Sequence, residues 1–263
     1  MQGIAEQLHD LGIELAWALD GTAKDLSGFF EDTHRLQLLA DSHIAPHSQA
    51  PKKGTHNTGM NTPSSPVSLG YYTHHAEAYA QATRAVDMTP LYARFLPHVR
   101  ADGLILDAGC GSGRDALAFL QRGYAVEAFD ASPELAQLAS QHAGIPVKVM
   151  RFQDLDDTAR FDAIWACASL LHVPAREQPD VWRKLWQTLK TGGVVYASYK
   201  LGQAERVDES GRAFTDANQD RLSEWLNPLQ GIARVETWLT TDQRPGQTQT
   251  WLNALVHRHL VER

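Results

Sequence analysis

The chain has 263 residues, 43% of them hydrophobic, enough for one large domain with a packed core and an appendage. With 31 acidic against 24 basic side chains the net charge is −7, which counts against a general binder of polyanions such as nucleic acid. No apolar run approaches the roughly 18 residues that cross a bilayer. The first residues also lack the basic start and apolar stretch of a secretion signal. With only Cys110 and Cys167 available, a stabilising disulfide is not expected, so the expected location is the cytoplasm, without a membrane partner.

In chain order, two amphipathic patterns come first, through Ile4, Leu8, Leu11, Leu15 and Leu19 and then Leu26, Phe29, Phe30, Leu36 and Leu39. They predict an N-terminal helical pair over residues 1–41, too small for a core of its own and therefore a candidate docking or self-association module. Residues 42–70 are rich in Ser, Thr, Pro, Asn, Gly, Lys and His without apolar period and read as a flexible linker. The main domain is expected over 71–263, starting with a helical stretch around Tyr71, Tyr72 and Tyr79 and a second one through TPLYARFLPHV.

A strand then runs through Leu104, Ile105 and Leu106 into Asp107 and a turn containing Gly109, Gly111 and Gly113, after which an alanine-rich helix begins. Glycines permit the positive φ of a tight strand-to-helix turn and let a ligand lie against the backbone. A dinucleotide fingerprint requires its third glycine three residues after the second, where this chain has Arg114. An acidic strand end is also unfavourable beside a pyrophosphate and suits a cationic ligand. Downstream, Ala125 to Phe129 read as a strand ending in Asp130, followed by a helix with Ser132 as N-cap and Pro133 at its first position. Asp130 lies about 20 residues past the loop, where an acidic group receives ribose hydroxyls.

Asp107 followed by Gly-x-Gly-x-Gly resembles the cofactor motif of the S-adenosylmethionine-dependent methyltransferases with a Rossmann-like core. The resemblance implies an α/β fold: a doubly wound, mostly parallel sheet with an antiparallel C-terminal hairpin, here carrying an N-terminal helical extension. It implies S-adenosyl-L-methionine as cofactor and a contact set of Asp107, Ala108, Gly109, Gly111, Gly113, Arg114, Asp130, Ala131, Gln153, Asp154 and Ala168. Within that set Asp107 lies near the amino-acid end of the cofactor and Asp154 near the adenine amino group. Asp154 reads equally as an ordinary turn aspartate. Arg114 is a candidate for the methionine carboxylate or a surface salt bridge. The resemblance also places a pre-core helix tyrosine over the pocket, with Tyr72 and Tyr79 as candidates; helix packing is the alternative.

The remaining elements follow the same order. A short β-rich run at Ile145 to Arg151 and an apolar strand, Phe161 to Cys167, precede Ala168-Ser169-Leu170-Leu171-His172. A helix is expected from Pro174 to Lys190, ended by Thr191-Gly192-Gly193, then a strand from Val194 to Tyr199. Residues 200–220 read as a long polar loop, Asp220 to Leu229 as a helix, and Ile232 to Leu239 and Thr250 to His257 as the terminal hairpin.

A sulfonium donor is already activated, so the protein mainly aligns the reactants and excludes water. His172, with an ordinary pKa of about 6.5, is a candidate general base and equally a capping or solvent-facing histidine. Lys200 and Arg244 are positioned to hold an anionic acceptor, and Tyr72 completes the tentative catalytic set. The run after the fourth strand is not the Asn/Asp-Pro-Pro-Tyr of enzymes that methylate exocyclic amines of bases, and there is no Pro-Cys nucleophile. The 12 histidines offer no convincing metal set; His257 and His259 could share a strand face but lack further ligands. The expectation is methyl transfer to a small-molecule acceptor. The alternatives are transfer to tRNA or protein, a non-catalytic cofactor-binding subunit and a nicotinamide oxidoreductase.

Overall fold

The computed structural model describes residues 66–260 except 243 and 245, with side chains from residue 70 onward. The expected helical pair at 1–41 and nearly all of the expected linker at 42–70 lie outside the described residues. Helix α1, Pro66–Arg84, starts five residues inside the expected linker, because a proline fits the first turn of a helix. Helix α2 is Thr89–Phe95.

The core alternates strand and helix: β1 Leu104–Ala108, α3 Arg114–Leu120, β2 Ala125–Asp130, α4 Pro133–Ala143, β3 Val147–Val149, β4 Phe161–Ala166, α5 Gln178–Thr188 and β5 Leu189–Lys200. A two-stranded insertion follows, β6 Glu205–Val207 and β7 Ala213–Thr215, then α6 Gln219–Leu226 and the long pair β8 Ile232–Thr241 and β9 Thr250–Arg258. The strands form a seven-stranded sheet in the order β3-β2-β1-β4-β5-β9-β8. The first five pair in parallel, whereas β9 runs antiparallel to both β5 and β8. This is the doubly wound sheet with an antiparallel C-terminal hairpin that the motif implied.

Burial on both faces explains the continuous apolar strands. Leu106, Ile164 and Val195 face one side, packed with Trp182 and Leu185 of α5. Their neighbours Ile105, Trp165 and Tyr196 face the other, against Tyr92 and Phe95 of α2 and Phe119 of α3. Trp165 stacks on Tyr196 with centroids 3.9 Å apart. Loss of so large a buried ring leaves a cavity costing about 3–5 kcal/mol.

Local signals set the helix ends. Ser132 Oγ accepts from the Leu135 amide at 3.3 Å to cap α4, and Asn218 Oδ1 accepts from the Arg221 amide at 3.0 Å to cap α6. Three expectations shift. The Thr191-Gly192-Gly193 segment does not follow the helix end as a free turn; it forms a bulge within β5, where the register against β4 jumps between Phe161↔Leu189 and Ala163↔Val194. The helix expected over Pro174 to Lys190 begins at Gln178, after a 3₁₀ turn at Ala175–Glu177. The polar stretch 200–220 contains β6 and β7, whose alternation is masked by charged residues that pair with each other across and beside the turn.

β1 lies at the point where the chain winds first one way, to β2, and then the other, to β4. That is the position at which open α/β sheets bind ligands, outside the carboxyl ends of the strands. Gly113 fixes the loop there: its φ is +75°, and a Cβ would stand 2.8 Å from the Ala139 Cα of α4. Gly113→Ala is therefore expected to lower the free energy of unfolding by about 1–3 kcal/mol, measured by urea denaturation. Unchanged stability would show that α3 and α4 can separate at no cost.

Candidate functional site

The loop after β1 is tied to the end of β2. The Phe129 carbonyl accepts from both the Gly109 and Cys110 amides, at 3.0 and 2.9 Å. Asp130 Oδ2 accepts from the Gly111 amide at 2.8 Å, and Oδ1 accepts from the Ser132 amide at 2.9 Å. Gly113 donates to the Cys110 carbonyl at 3.0 Å. Because these amides are already satisfied, the loop does not present the row of free N–H groups with which a glycine loop cradles phosphates. Its glycines serve close approach instead: a Cβ on Gly109 would stand 2.6 Å from the Ser169 Cβ. Ser169 in turn donates its hydroxyl to the Ala108 carbonyl at 2.7 Å, locking the β1 and β4 exits together. Ala168, between them, has a φ of +50°, a strained setting for a residue with a Cβ, in the segment that lines the cleft.

The cleft is walled by Gly109 and Gly111, Asp130 to Ser132, Met150 to Gln153, and Ala168, Ser169, His172 and Val173, with Tyr72 and Tyr79 of α1 closing it. Of the expected cofactor residues, Gly109, Gly111, Asp130, Ala131, Gln153 and Ala168 line it directly. Phe129, Leu135, Met150 and Phe152 also line it, and the sequence reading passed over them as ordinary core. Their signal was position alone, on or just after the elements that carry Asp130 and Asp154.

Others take different places. Asp107 and Ala108 are buried beneath the loop. Gly113 packs on α4. Asp154 holds Arg151 at 3.2 Å in a half-exposed ion pair, so the carboxylate acts as a turn aspartate while its neighbour Gln153 faces the cleft. Arg114 is neither at the surface nor among the cleft residues. Its Nε and Nη2 donate to Asp115 at 2.6 and 2.8 Å and its Nη1 to the Thr83 carbonyl at 3.2 Å.

Asp115, which the sequence reading did not single out, also accepts from the Tyr92 hydroxyl and from Trp165 Nε1 at 2.8 Å. Burial works against its charge, but Arg114 and these donors hold its carboxyl below the usual range. Asp107 has the opposite fate. Burial first, then the Asp115 charge, push its carboxyl well above the usual range. Its Oδ2 is the one buried side-chain N or O atom among the described residues with no hydrogen-bond partner. An orphaned buried carboxylate oxygen is costly until a donor or cationic group completes it.

Tyr72 and His172 meet across the cleft. His172 Nδ1 lies 2.9 Å from the Ala213 carbonyl, which can only accept, so Nδ1 carries the hydrogen and Nε2 the lone pair. The Tyr72 hydroxyl therefore donates to Nε2 at 3.0 Å. Burial lowers the His172 pKa to about 4, so the imidazole is neutral at physiological pH, not near its titration point as the unperturbed value suggested. The Tyr72 hydroxyl is pushed up by burial and by Tyr79, and Tyr79 to about 12 by burial and the Asp130 charge. Cys167 is pushed up to about 12 by burial, which keeps it a thiol.

His257 finds no ligand in His259. It meets His98 and Glu236 at the opposite end of β5 from the cleft, with ligand atoms within 4.8 Å of one another. Arg234 Nη2 ion-pairs Glu236 at 2.8 Å and stands 3.4 Å from His257 Nε2, so a positive charge already lies beside the trio.

Residues 105–193 match the protein family described as a methyltransferase domain. Over those residues the chain is similar to methyltransferase domains. An uncharacterized methyltransferase of Staphylococcus carnosus is 21% identical to it over 141 residues, 51% of this chain and 68% of that one. Among solved structures, the 1,6-didemethyltoxoflavin N1-methyltransferase of Burkholderia thailandensis, crystallised with 1,6-didemethyltoxoflavin and S-adenosylhomocysteine, matches 78% of this chain and 93% of its own at 22% identity and a TM-score of 0.61. A methyltransferase from Methanosarcina mazei matches 67% and 100% at 19% identity with a TM-score of 0.55. A nucleoside donor without phosphates fits a loop whose amides are spent internally, above an unsatisfied carboxylate.

Two outcomes test this geometry. Asp130→Ala should weaken S-adenosylhomocysteine binding by about 1–3 kcal/mol in calorimetry, from lost hydroxyl contacts and a loosened Gly111 amide; unchanged affinity removes Asp130 from the site. For His172, the unfolded chain takes a proton below pH about 6.5 that the native imidazole refuses until about 4. Its share of stability is complete above that window and is lost as pH falls through it. His172→Gln should therefore gain stability relative to wild type between pH 6.5 and 4 in thermal melts, and a pH-independent difference would contradict the buried neutral ring.

Proposed function

We propose that this protein is an S-adenosylmethionine-dependent methyltransferase that transfers its methyl group to a small-molecule acceptor. The observation that carries the reading is the enclosure of the reacting end: the Tyr72–His172 bond bridges α1 and the exit of β4, and the ring of Phe214 on β7 backs His172 at 5.1 Å. An acceptor bounded by side chains on these sides is more readily a free molecule than a base or side chain anchored in a macromolecule. The net charge of −7 argues in the same direction against RNA. The similar Burkholderia enzyme acts on a small heterocycle, as its name states.

In this reading Asp130 receives the ribose hydroxyls, Gly109 and Gly111 give the nucleoside backbone to lie on, and Phe152, Met150 and Gln153 form the wall for the base. Asp107, held neutral while its Oδ2 is unpartnered, ionises when a cationic amino-acid end docks beside it. Arg114 is left out, since Asp115 and the Thr83 carbonyl occupy it. The cofactor supplies an electrophilic methyl group on a positively charged sulfur. The protein orients the acceptor and excludes water from between the reactants.

Tyr72 and His172 form the path for a proton. An acceptor hydroxyl or amine that donates to the Tyr72 oxygen sits at the head of a chain ending at His172 Nε2. An imidazole held at about 4 is too weak a base to strip an unreacted hydroxyl. It is strong enough for the far more acidic hydrogen on an oxygen that has gained a methyl group. The dyad thus receives a proton late and keeps the acceptor aligned before that.

With a methyl-labelled donor and cell extract, label should appear in the small-molecule fraction. Label confined to acid-precipitable RNA or protein would overturn the proposal.

A further inference from the structure

Beyond the Tyr72–His172 bridge, cations surround a single aromatic ring. Lys200, the last residue of β5, holds its Nζ 3.7 Å from the centroid of Phe214. Arg206 and Arg212 stand 5.0 and 5.3 Å from the same centroid, and Arg212 also lies 4.8 Å from the Tyr71 ring of α1. Phe214 is itself buried against His172, one of the residues lining the cleft. Arg244, in the turn between β8 and β9, acts on Tyr72 and Tyr79 from the other flank.

The arginines are each matched. Arg206 grips Asp216 through Nε and Nη2 at 3.1 and 3.2 Å. Arg212 holds Asp208 through Nε at 3.0 Å and Nη2 at 2.8 Å, and Arg244 holds Asp242 at 2.9 and 2.6 Å. Lys200 has no such partner: among the described residues its close contact is the Phe214 ring, and Asp216 and Asp208 reach it only through space. Burial, then Arg206 and Arg212, lower the Lys200 pKa from its ordinary value. This cluster, joined to the cleft through the Phe214 and His172 rings, is short of one negative charge, and the three fork-on-carboxylate pairs leave no second or third vacancy for a phosphate chain.

We infer that the acceptor carries one carboxylate, which the Lys200 ammonium receives beside Phe214 while the reacting end of the molecule lies against Tyr72 and His172. The inference rests on the small-molecule reading. It assigns Lys200 to acceptor recognition, apart from the cofactor half of the cleft. Arg244, the other cation expected to hold an anionic acceptor, has its charge spent on Asp242. A carboxylate within hydrogen-bond reach of a half-buried ammonium is a charge-assisted contact, and losing one partner leaves the other desolvated.

The test uses the full chain loaded with S-adenosylhomocysteine and titrated with benzoate and with benzamide, its neutral isostere, in a calorimeter. Benzoate should bind at least about 10-fold more tightly than benzamide. Lys200→Met should reduce benzoate to the benzamide level while S-adenosylhomocysteine affinity stays unchanged, and Lys200→Arg should keep most of the preference. Equal binding of the two probes, or a preference that survives Lys200→Met, overturns the inference. A second arm separates it from the reading beneath it. Passing a metabolite extract through an anion exchanger should abolish labelled small-molecule product; undiminished label in the depleted extract overturns the carboxylate alone, whereas label found only in macromolecules overturns small-molecule transfer itself.

Discussion

The site depends on how the end of β2 captures the loop after β1. Buried backbone donors must be paired, and here the Phe129 carbonyl and the Asp130 carboxylate take the amides of Gly109, Cys110 and Gly111 in succession. That capture gives the loop one shape, aligns β1 and β2 at their exits, and leaves Asp130 at the mouth of the cleft. It also removes the N–H groups that would otherwise attract phosphate. A glycine-rich turn is thus converted from an anion nest into a flat backbone surface for a nucleoside, with the negative charge supplied by side chains.

Two adjacent carboxylates show how burial divides roles. Asp115 is saturated by Arg114, Tyr92 and Trp165 and stays ionised as a structural tie between α2, α3 and β4. Asp107, without a partner at Oδ2, resists ionisation in its neighbour's field. The same logic applies to His172, whose ring is desolvated, fixed in one tautomer by the Ala213 carbonyl, and bonded to Tyr72. Neutrality suits the alignment and late proton acceptance proposed for it. In each case the partners of a titratable group, more than its residue type, decide what it does.

The division of labour follows the sheet. In the proposed reading the exits of β1, β2 and β3 carry the cofactor half. The proposed acceptor half draws on α1, the exits of β4 and β5, the β6–β7 insertion and the turn beyond β8. Those later segments lie largely outside the matched stretch 105–193, so likeness to known methyltransferases gives the fold and leaves the acceptor to be read from local chemistry.

The sequence by itself determined the core. Alternating apolar strands and capped helices, the glycine spacing and the acidic ends of β1 and β2 are local signals, because each reflects burial or backbone conformation within a few residues. Those signals carried the resemblance that implied the doubly wound sheet, the antiparallel hairpin and the cofactor. Only the tertiary structure decided which charges are free. That Arg114 is spent on Asp115, that Asp154 is spent on Arg151, that Tyr72 reaches His172 from 100 residues away, and that Lys200 lacks a carboxylate among so many acidic neighbours all depend on distances across elements. Coulomb and hydrogen-bond energies fall off within a few ångströms, and no linear spacing encodes which side chains come that close.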